Sequence, residues 1–252
     1  MSGHSKWANI KHRKGRQDAK RGKVFTRIGK EITIAAREGG GDPEGNPRLR
    51  LAMLNARSVN MPSDNITRAI KKGTGEIEGV SYEEIMYEGY APNGVAVILE
   101  TVTDNKKRTV SEIRSTFTKH GGNLGEPNSV AWNFERKGVI SIKTNDKSEE
   151  ELLDHVLESG ADDMEYSEEN TRIICELENF ADANKYFDSS EFEIEESKVE
   201  YIPQNMVQIT ELNDARKVLK FMEIIEDQDD VQNLYANFDI DDDLAEQIAS
   251  EG

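Results

Sequence analysis

The sequence predicts an α+β protein of several domains, and three observations support this prediction. Its 252 residues exceed one ordinary small domain and favour two or three. The charge balance changes sign along the chain: residues 1–75 contain 17 Lys and Arg against 6 Asp and Glu, whereas residues 76–252 contain 15 against 43. Apolar residues recur at helical spacing in the first part and alternate as in strands afterwards. We therefore expect a basic helical domain, at 1–78, followed by acidic α+β domains.

The first 23 residues are predicted to form a basic arm. The first 30 residues contain ten Lys and Arg against one acidic residue, Asp18. Apart from Trp7 and Ile10 there is little apolar surface to bury, so packing alone cannot order this segment. Such a segment attracts nucleic acids, because each phosphate that it neutralises releases a counterion. The alternative is a solvated charged tail without a partner.

Three helices are predicted behind the arm. The first spans about 24–38 and ends at a run of three glycines. The second starts at Asn46-Pro47, where asparagine can cap the helix and proline suits its first turn. The third starts near Ser63-Asp64 and ends at Lys71-Lys72-Gly73, where the cations suit a helix C-terminus. The second and third helices faintly suggest a helix-turn-helix, although two simply packed helices are the commoner arrangement.

The remaining chain is predicted to form two α+β domains. One is split between residues 79–136 and 203–252. Its predicted strands are 82–90, 95–103, 129–135, 205–209 and 231–237, and its predicted helices are 107–119 and 211–226. The other domain, at 137–202, is inserted into the first and has the order β-α-β-β-α-β of a ferredoxin-like unit. Its strands are predicted at Val139–Lys143, Met164–Ser167, Arg172–Glu176 and Lys198–Ile202, and its helices at 149–159 and 179–188.

The predicted nucleic-acid contacts are the cations of the arm and of the helical domain, together with Trp7. Trp7 could stack on a base or pack on the helical domain. The candidate contact residues are Lys6, Trp7, Lys11, Arg13, Lys14, Arg16, Lys20, Arg21, Lys23, Arg57, Arg68, Lys71 and Lys72. The inserted domain is interpreted as a packing or protein-contact module, because Val139–Lys143 and Arg172–Glu176 lack the aromatic residues of an RNA-recognition sheet.

Enzymatic chemistry finds little support in the sequence. His4, His12, His120 and His155 have no metal-ligand spacing to one another or to Cys175, so neither a metal nor another cofactor is expected. The single cysteine is predicted to be buried and inert, and it favours a reducing, cytoplasmic compartment. No apolar run approaches the length of a membrane-spanning helix, so no membrane partner is expected. A monomer is the favoured state.

Several motifs resemble the YebC/PmpR family. In the arm and helical domain they are Gly3-His-Ser-Lys-Trp-Ala-Asn-Ile-Lys-His-Arg-Lys14, Gln17-Asp-Ala-Lys-Arg-Gly-Lys23, Ala36-Arg-Glu-Gly-Gly40, Asn46-Pro-Arg-Leu-Arg50, Asn60-Met-Pro62, Asp64-Asn-Ile66 and Ala69-Ile-Lys-Lys-Gly-Thr-Gly-Glu76. Later motifs are Tyr87-Glu-Gly-Tyr90, Thr103-Asp-Asn105, Gly121-Gly-Asn-Leu-Gly125 and Arg136-Lys-Gly138. The sequence departs from the family pattern in two loops, at Ala91-Pro-Asn-Gly94 and at Glu126-Pro127-Asn128.

The resemblance implies a helical bundle and two ferredoxin-like domains, one inserted in the other. It also implies a cytoplasmic, DNA-binding transcriptional regulator, while family relatives, including a mitochondrial translational activator, are associated with ribosomes. The first hypothesis is therefore a DNA-binding regulator of transcription. The alternative is a translation factor that binds the ribosome through ribosomal RNA and helps elongation at stalling sites such as proline runs. A third hypothesis is an acidic adaptor whose basic arm binds an acidic protein.

Overall fold

The computed structural model describes residues 17–250 and confirms the α+β class. The helices of this part of the chain are α1 (Gln17–Gly39), α2 (Pro47–Ser58), α3 (Ser63–Gly73), α4 (Lys106–Lys119), α5 (Glu149–Glu158), α6 (Phe180–Asp188), α7 (Leu212–Glu226) and α8 (Asp242–Ser250). The strands are β1 (Glu83–Tyr90), β2 (Ala96–Thr103), β3 (Asn123–Leu124), β4 (Phe134–Lys143), β5 (Asp163–Glu165), β6 (Asn170–Cys175), β7 (Ile194–Pro203), β8 (Val207–Ile209), β9 (Val231–Ala236) and β10 (Phe238–Ile240). None of the helices within 17–250 combines the length and hydrophobicity that a membrane crossing requires.

The chain divides into two compact units. The split unit comprises residues 81–135 with 201–252, and the helix–sheet unit comprises residues 19–80 with 136–200. Three apolar clusters form the main cores: one in the helical segment, one beneath the inserted sheet and one beneath the sheet of the split unit. The inserted segment therefore has its own core, as a folded insertion requires.

The start of α1 corrects the predicted extent of the arm. Residues 17–23 were expected to belong to the arm, but they form the first turns of α1, which begins at Gln17 rather than near residue 24. Ala, Lys, Arg and Gln are strong helix formers, so extending a helix that packing has already nucleated costs little. Lys20, Arg21 and Lys23 consequently lie on a helix.

Asn46 joins the end of α1 to the start of α2. Its side-chain oxygen accepts a hydrogen bond from the Leu49 amide at 3.0 Å, which confirms the predicted helix cap. Its side-chain amide donates to the carbonyl oxygens of Ala35 at 2.7 Å and Gly40 at 2.9 Å. One buried side chain thus satisfies backbone groups at two helix ends, which otherwise lack intrahelical partners.

The inserted sheet confirms the predicted ferredoxin-like unit. Its strands are arranged in the order β5-β6-β4-β7, and their sequence along the chain is β4-α5-β5-β6-α6-β7. Ile140 and Ile142 of β4 pack with Leu152 and Val156 of α5 in its core. The insertion is anchored to α2, because the side chain of Asn55 bonds to both the amide and the carbonyl group of Ser197 in β7.

The sheet of the split unit joins chain segments that lie on either side of the insertion. Its order is β3-β1-β2-β9, and β2 pairs antiparallel with β9, with Val97 opposite Ala236. One face of β2 contributes Val97 and Leu99 to the core that contains residues of α4 and α7. The other face contributes Ala96 and Ile98 to a smaller apolar cluster. Beside this sheet, β8 and β10 form a short parallel pair.

A predicted strand at 129–135 is wrong. Residues Ala131–Asn133 form a 3₁₀ turn, and β4 starts only at Phe134. The cause is Glu88, a buried carboxylate that accepts hydrogen bonds from the backbone amides of Asn128, Val130 and Ala131 at 2.7 to 2.8 Å. Amides held by this carboxylate are not available to a strand ladder.

Three asparagines clamp the two points where the chain leaves and re-enters the split unit. Asn133 precedes β4, and its side chain donates to the carbonyl of Asn205, which follows β7, at 3.0 Å and accepts from the Asn205 amide at 3.1 Å. Asn237 donates to the same Asn205 carbonyl at 2.9 Å and accepts from the amide of Ala96 at 2.7 Å. Both ends of the insertion are thereby tied to β2.

We expect Asn133→Ala to lower the free energy of unfolding by about 1.5 kcal/mol, since the Asn205 amide loses its acceptor while the Asn205 carbonyl keeps the hydrogen bond from Asn237. Urea denaturation followed by circular dichroism would measure this loss. The control is Asn213→Ala, at an exposed position of α7, which should change stability by less than about 0.5 kcal/mol. Equal effects of the two substitutions would contradict a clamp at Asn133.

Candidate nucleic-acid interface

Helix α3 separates an apolar face from a basic one. Ala69 is buried, and Ile66 and Ile70 pack with it against the helical core. Arg68, Lys71 and Lys72 are exposed and follow one another at spacings of three and one residues, which places them on a common side of the helix. We call these three residues the α3 basic face.

The close approach of α3 to α1 fixes the orientation of this face. A Cβ atom at Gly73 would lie 2.4 Å from the carbonyl oxygen of Thr33 and 2.7 Å from Cβ of Ala36, so only glycine fits this contact. The Thr33 hydroxyl donates to the Ala69 carbonyl oxygen at 3.2 Å and to that of Gly29 at 2.8 Å. The two helices therefore pack backbone to backbone, which turns the basic face of α3 away from α1.

The six cations of α2 and α3 fall into two groups. Arg48 pairs with Glu31 and Glu38, both at 2.8 Å, and Arg50 donates to backbone carbonyls of the loop before α2, so these two arginines stabilise the fold. The second group has no carboxylate partner within residues 17–250 and is solvent-exposed. It consists of Arg57, Arg68, Lys71 and Lys72. This second group was among the predicted contact residues and is available to an external anion.

The structure brings together only part of the predicted interface. The α3 basic face is contiguous, whereas Arg57 lies in the last turn of α2 and outside that face. Lys20, Arg21 and Lys23 lie along α1, and Lys23 is half-buried. The other predicted contacts lie outside the described residues. They are Lys6, Trp7, Lys11, Arg13, Lys14 and Arg16.

The position of the charges along α3 argues against the helix-turn-helix that the sequence weakly suggests. A recognition helix reads base edges mainly with its N-terminal residues. The first residues of α3 are Ser63 and Asp64, both exposed, and the Asp64 carboxylate would repel a phosphate backbone. The cations lie instead in the middle and the last turn. This arrangement suits contact with a sugar–phosphate chain better than insertion of the helix start into a groove.

Two exposed aromatic side chains in the split unit were missed in the sequence. Trp132 is 69% exposed and Tyr90 is 38% exposed. The indole N–H of Trp132 and the hydroxyl of Tyr90 both donate to the carbonyl oxygen of Ser129, at 3.1 and 3.2 Å. Their rings are therefore held in place with surface open to solvent, as stacking requires. The wrong strand prediction at 129–135 concealed this pair, because it gave no reason to expose Trp132.

The thiol of Cys175 is the reactive side chain that the sequence analysis singled out. Its thiol is buried in β6 and donates to the carbonyl oxygen of Gly138 at 3.6 Å. Burial, with a smaller contribution from the charge of Asp162, raises the pKa of this thiol to about 11. A thiol with such a pKa is almost entirely protonated at neutral pH and is a poor nucleophile. The prediction of a buried thiol is confirmed.

The fold and the distribution of charge define a multidomain α+β protein with a basic helical segment and acidic sheet-containing segments. A family model described as the TACO1/YebC protein N-terminal domain matches residues 5–76, and one described as the TACO1/YebC second and third domain matches residues 82–238. The chain therefore belongs to the TACO1/YebC family, as the motifs indicated.

Curated relatives align with this chain over nearly their whole length. A protein from Geobacter sulfurreducens is 54% identical over 98% of this chain and 100% of its own, and one from Thermotoga maritima is 53% identical over 99% and 98%. Both are named probable transcriptional regulatory protein. The crystal structure of a conserved hypothetical protein from Aquifex aeolicus has 47% identity and a TM-score of 0.85, covering 89% of this chain and 93% of that chain.

Gly73 provides a test of how α3 is positioned. Alanine is about 1 kcal/mol better than glycine in a helix, yet we expect Gly73→Ala to destabilise the protein by about 2 kcal/mol, because the new methyl group overlaps the Thr33 carbonyl. In Gly22→Ala the methyl group meets no atom within 4 Å, so this control should stabilise the protein by about 0.5 kcal/mol. Thermal unfolding would measure both, and shifts of the same sign would refute the close-contact explanation.

Cys175 provides a test of the thiol environment. At pH 8 the native thiol should react with a disulfide reagent on the order of 100-fold more slowly than in urea, since its thiolate fraction is smaller by about that factor. The native rate should rise with pH toward the pKa of about 11. A native rate at pH 8 equal to that of the unfolded chain would show that the thiol is neither buried nor shifted.

Proposed function

We propose that this chain is a nucleic-acid-binding regulator of gene expression, and in the first place a DNA-binding regulator of transcription. The observation that carries the proposal is the α3 basic face, whose three cations are exposed and have no carboxylate partner among residues 17–250. The names of the curated relatives support a role in transcription. On this proposal, the cations of residues 1–23 supply further phosphate contacts.

The charge distribution supports a defined binding orientation. The segment at 1–75 has an excess of cations, while 76–252 contains 43 acidic residues against 15 basic ones. The net negative charge of 76–252 repels phosphates on average, so a polyanion approaches the basic segment first. The helix dipole favours Lys71 and Lys72 at the C-terminus of α3. It does not account for Arg68, which lies in the middle of that helix.

A ribosomal RNA-binding translation factor is the second candidate. It is favoured by the first turn of α3, where the Asp64 carboxylate would repel the phosphates that line a groove and no cation is present. A protein that grips backbone phosphates recognises shape, and folded RNA is recognised largely through shape and backbone contacts. This candidate uses the same α3 basic face on a different polyanion and includes action at stalling sites such as proline runs.

The triple variant Arg68→Gln, Lys71→Gln, Lys72→Gln, called here the α3 variant, should bind nucleic acid more weakly and with less salt dependence. Each lost phosphate contact reduces the log–log salt slope by about 0.9 for duplex DNA, so we expect a slope smaller by about 2 to 3. Fluorescence anisotropy with duplex DNA and with a ribosomal RNA fragment, between 50 and 300 mM KCl, would measure it.

The matched control is Lys143→Gln, Lys185→Gln, Lys217→Gln, called here the control triplet. It removes the same charge from other elements, at the exposed Lys185 and Lys217 and the half-buried Lys143. Two of these lysines pair with surface carboxylates, Lys143 with Glu193 and Lys217 with Asp214. The salt slope of the control triplet should equal that of the wild type. If the two triple variants behave alike, the α3 basic face is not the contact surface.

One fractionation experiment separates the two candidate functions. Cell extract containing the full-length protein is sedimented through sucrose at low salt, and the nucleic acid bound to the protein is identified by sequencing. Comigration with ribosomes that the α3 variant loses supports the translation factor. Recovery of particular duplex DNA segments at physiological salt, without ribosomes, supports the transcriptional regulator.

A further inference from the structure

The split unit contains a second concentration of cations, on helix α4. The two segments of this unit, 81–135 and 201–252, hold 8 Lys and Arg against 21 Asp and Glu. Five of these eight cations lie on α4, which carries a single carboxylate, Glu112. The unit as a whole is acidic, so the concentration of its cations on one helix requires a physical explanation.

Only one of the five cations has a structural role that the fold explains. Arg108 donates to Asp104 at 2.8 Å and to Asp230 at 2.9 Å, and Asp230 also accepts from the buried Thr109 hydroxyl. These hydrogen bonds raise the pKa of Arg108, with that to Asp230 contributing most. Arg108 therefore ties the start of α4 to the connection between α7 and β9.

The other four cations are exposed and have no carboxylate partner within residues 17–250. They are Lys106, Lys107, Arg114 and Lys119. Lys106 and Lys107 occupy the first turn of α4, where the helix dipole disfavours positive charge. Two lysines at this position weaken the helix slightly, and no carboxylate of the described part of the chain compensates for this cost. An external anion would reverse this cost.

The exposed side of α4 presents these charges in a row. Thr109, Ile113 and Phe117 are buried and define the inner side of the helix. On the opposite side, a row free of carboxylates runs for about 16 Å, at helical spacings of four, three and four residues. This α4 basic row consists of Lys107, Ser111, Arg114 and Thr118. Lysine, arginine and serine side chains donate to phosphate oxygens. The Thr118 hydroxyl donates to the Arg114 carbonyl oxygen at 3.0 Å, so Ser111 is the hydroxyl that the row offers to a phosphate.

We propose that the α4 basic row, flanked by Lys106 and Lys119, is a second binding surface for the sugar–phosphate backbone of the nucleic acid. This inference rests on the proposed function and adds a contact outside the helical segment. An acidic protein fits the row less well, because protein interfaces centre on apolar side chains and this row has none. The exposed large apolar residues of the split unit, Met86, Tyr90 and Trp132, lie on other elements.

The test is the triple variant Lys107→Gln, Arg114→Gln, Lys119→Gln in the full-length protein, called here the α4 variant. Glutamine retains good helix propensity, so the variant should show the circular dichroism spectrum and melting temperature of the wild type. The probes are a duplex DNA and a single-stranded RNA, each of 40 nucleotides per strand, and polyglutamate. For duplex DNA we expect a salt slope smaller by about 2 and affinity at least about tenfold weaker at 100 mM KCl.

The control triplet and the α3 variant separate failure of this inference from failure of the proposed function. Suppose first that the wild type binds DNA or RNA. If the α3 variant then loses affinity for that nucleic acid and the α4 variant does not, this inference is overturned while the proposed function stands. If the wild type binds neither probe, both are overturned. If the α4 variant loses binding to polyglutamate alone, the row is a site for an acidic protein and the inference is wrong. A loss with DNA or RNA that the control triplet does not share supports it.

Discussion

The fold depends on closing one sheet around an insertion. Strand β2 must find β9, although the chain between them forms an entire second sheet with its own core. Such long-range pairing carries a large loop-closure cost unless the ends of the intervening segment are held together. Asn133 and Asn205 hold those ends, and Asn237 ties them to the amide of Ala96 in β2. Polar side chains, rather than apolar packing, thus determine where the inserted segment leaves and returns.

Ion pairing distinguishes cations that build the fold from cations available to a ligand. Arg48 and Arg108 each bind two carboxylates and join separate elements of their own units. The α3 basic face and the α4 basic row have no such partners within residues 17–250. Both lie on amphipathic helices whose opposite sides are buried, so packing fixes their direction. Backbone recognition needs such fixed arrays of charge, and it places little demand on the identity of the bases.

Helices and most strands could be predicted from local patterns, while the site could be predicted only in part. The cap at Asn46 and the glycine after Lys72 marked the boundaries of α2 and α3 through chemistry that operates within a few residues. The strand predicted at 129–135 was wrong because Glu88, some forty residues earlier, captures its amides. Arg68, Lys71 and Lys72 were identified by sequence, but Trp132 and the α4 basic row were not. Nothing local shows which cations find carboxylate partners.

The sequence by itself determined the periodicity of each element, the reversal of charge along the chain and the family motifs, because these properties belong to residues or short segments. Only the tertiary structure decided which charges are neutralised. Arg48 and Arg68 look alike in the sequence, yet one meets Glu31 and Glu38 and the other faces solvent. Ion pairing joins charges on segments that are remote in the chain. Its energy depends on the distance between the two charges in space, and not on their separation in the sequence.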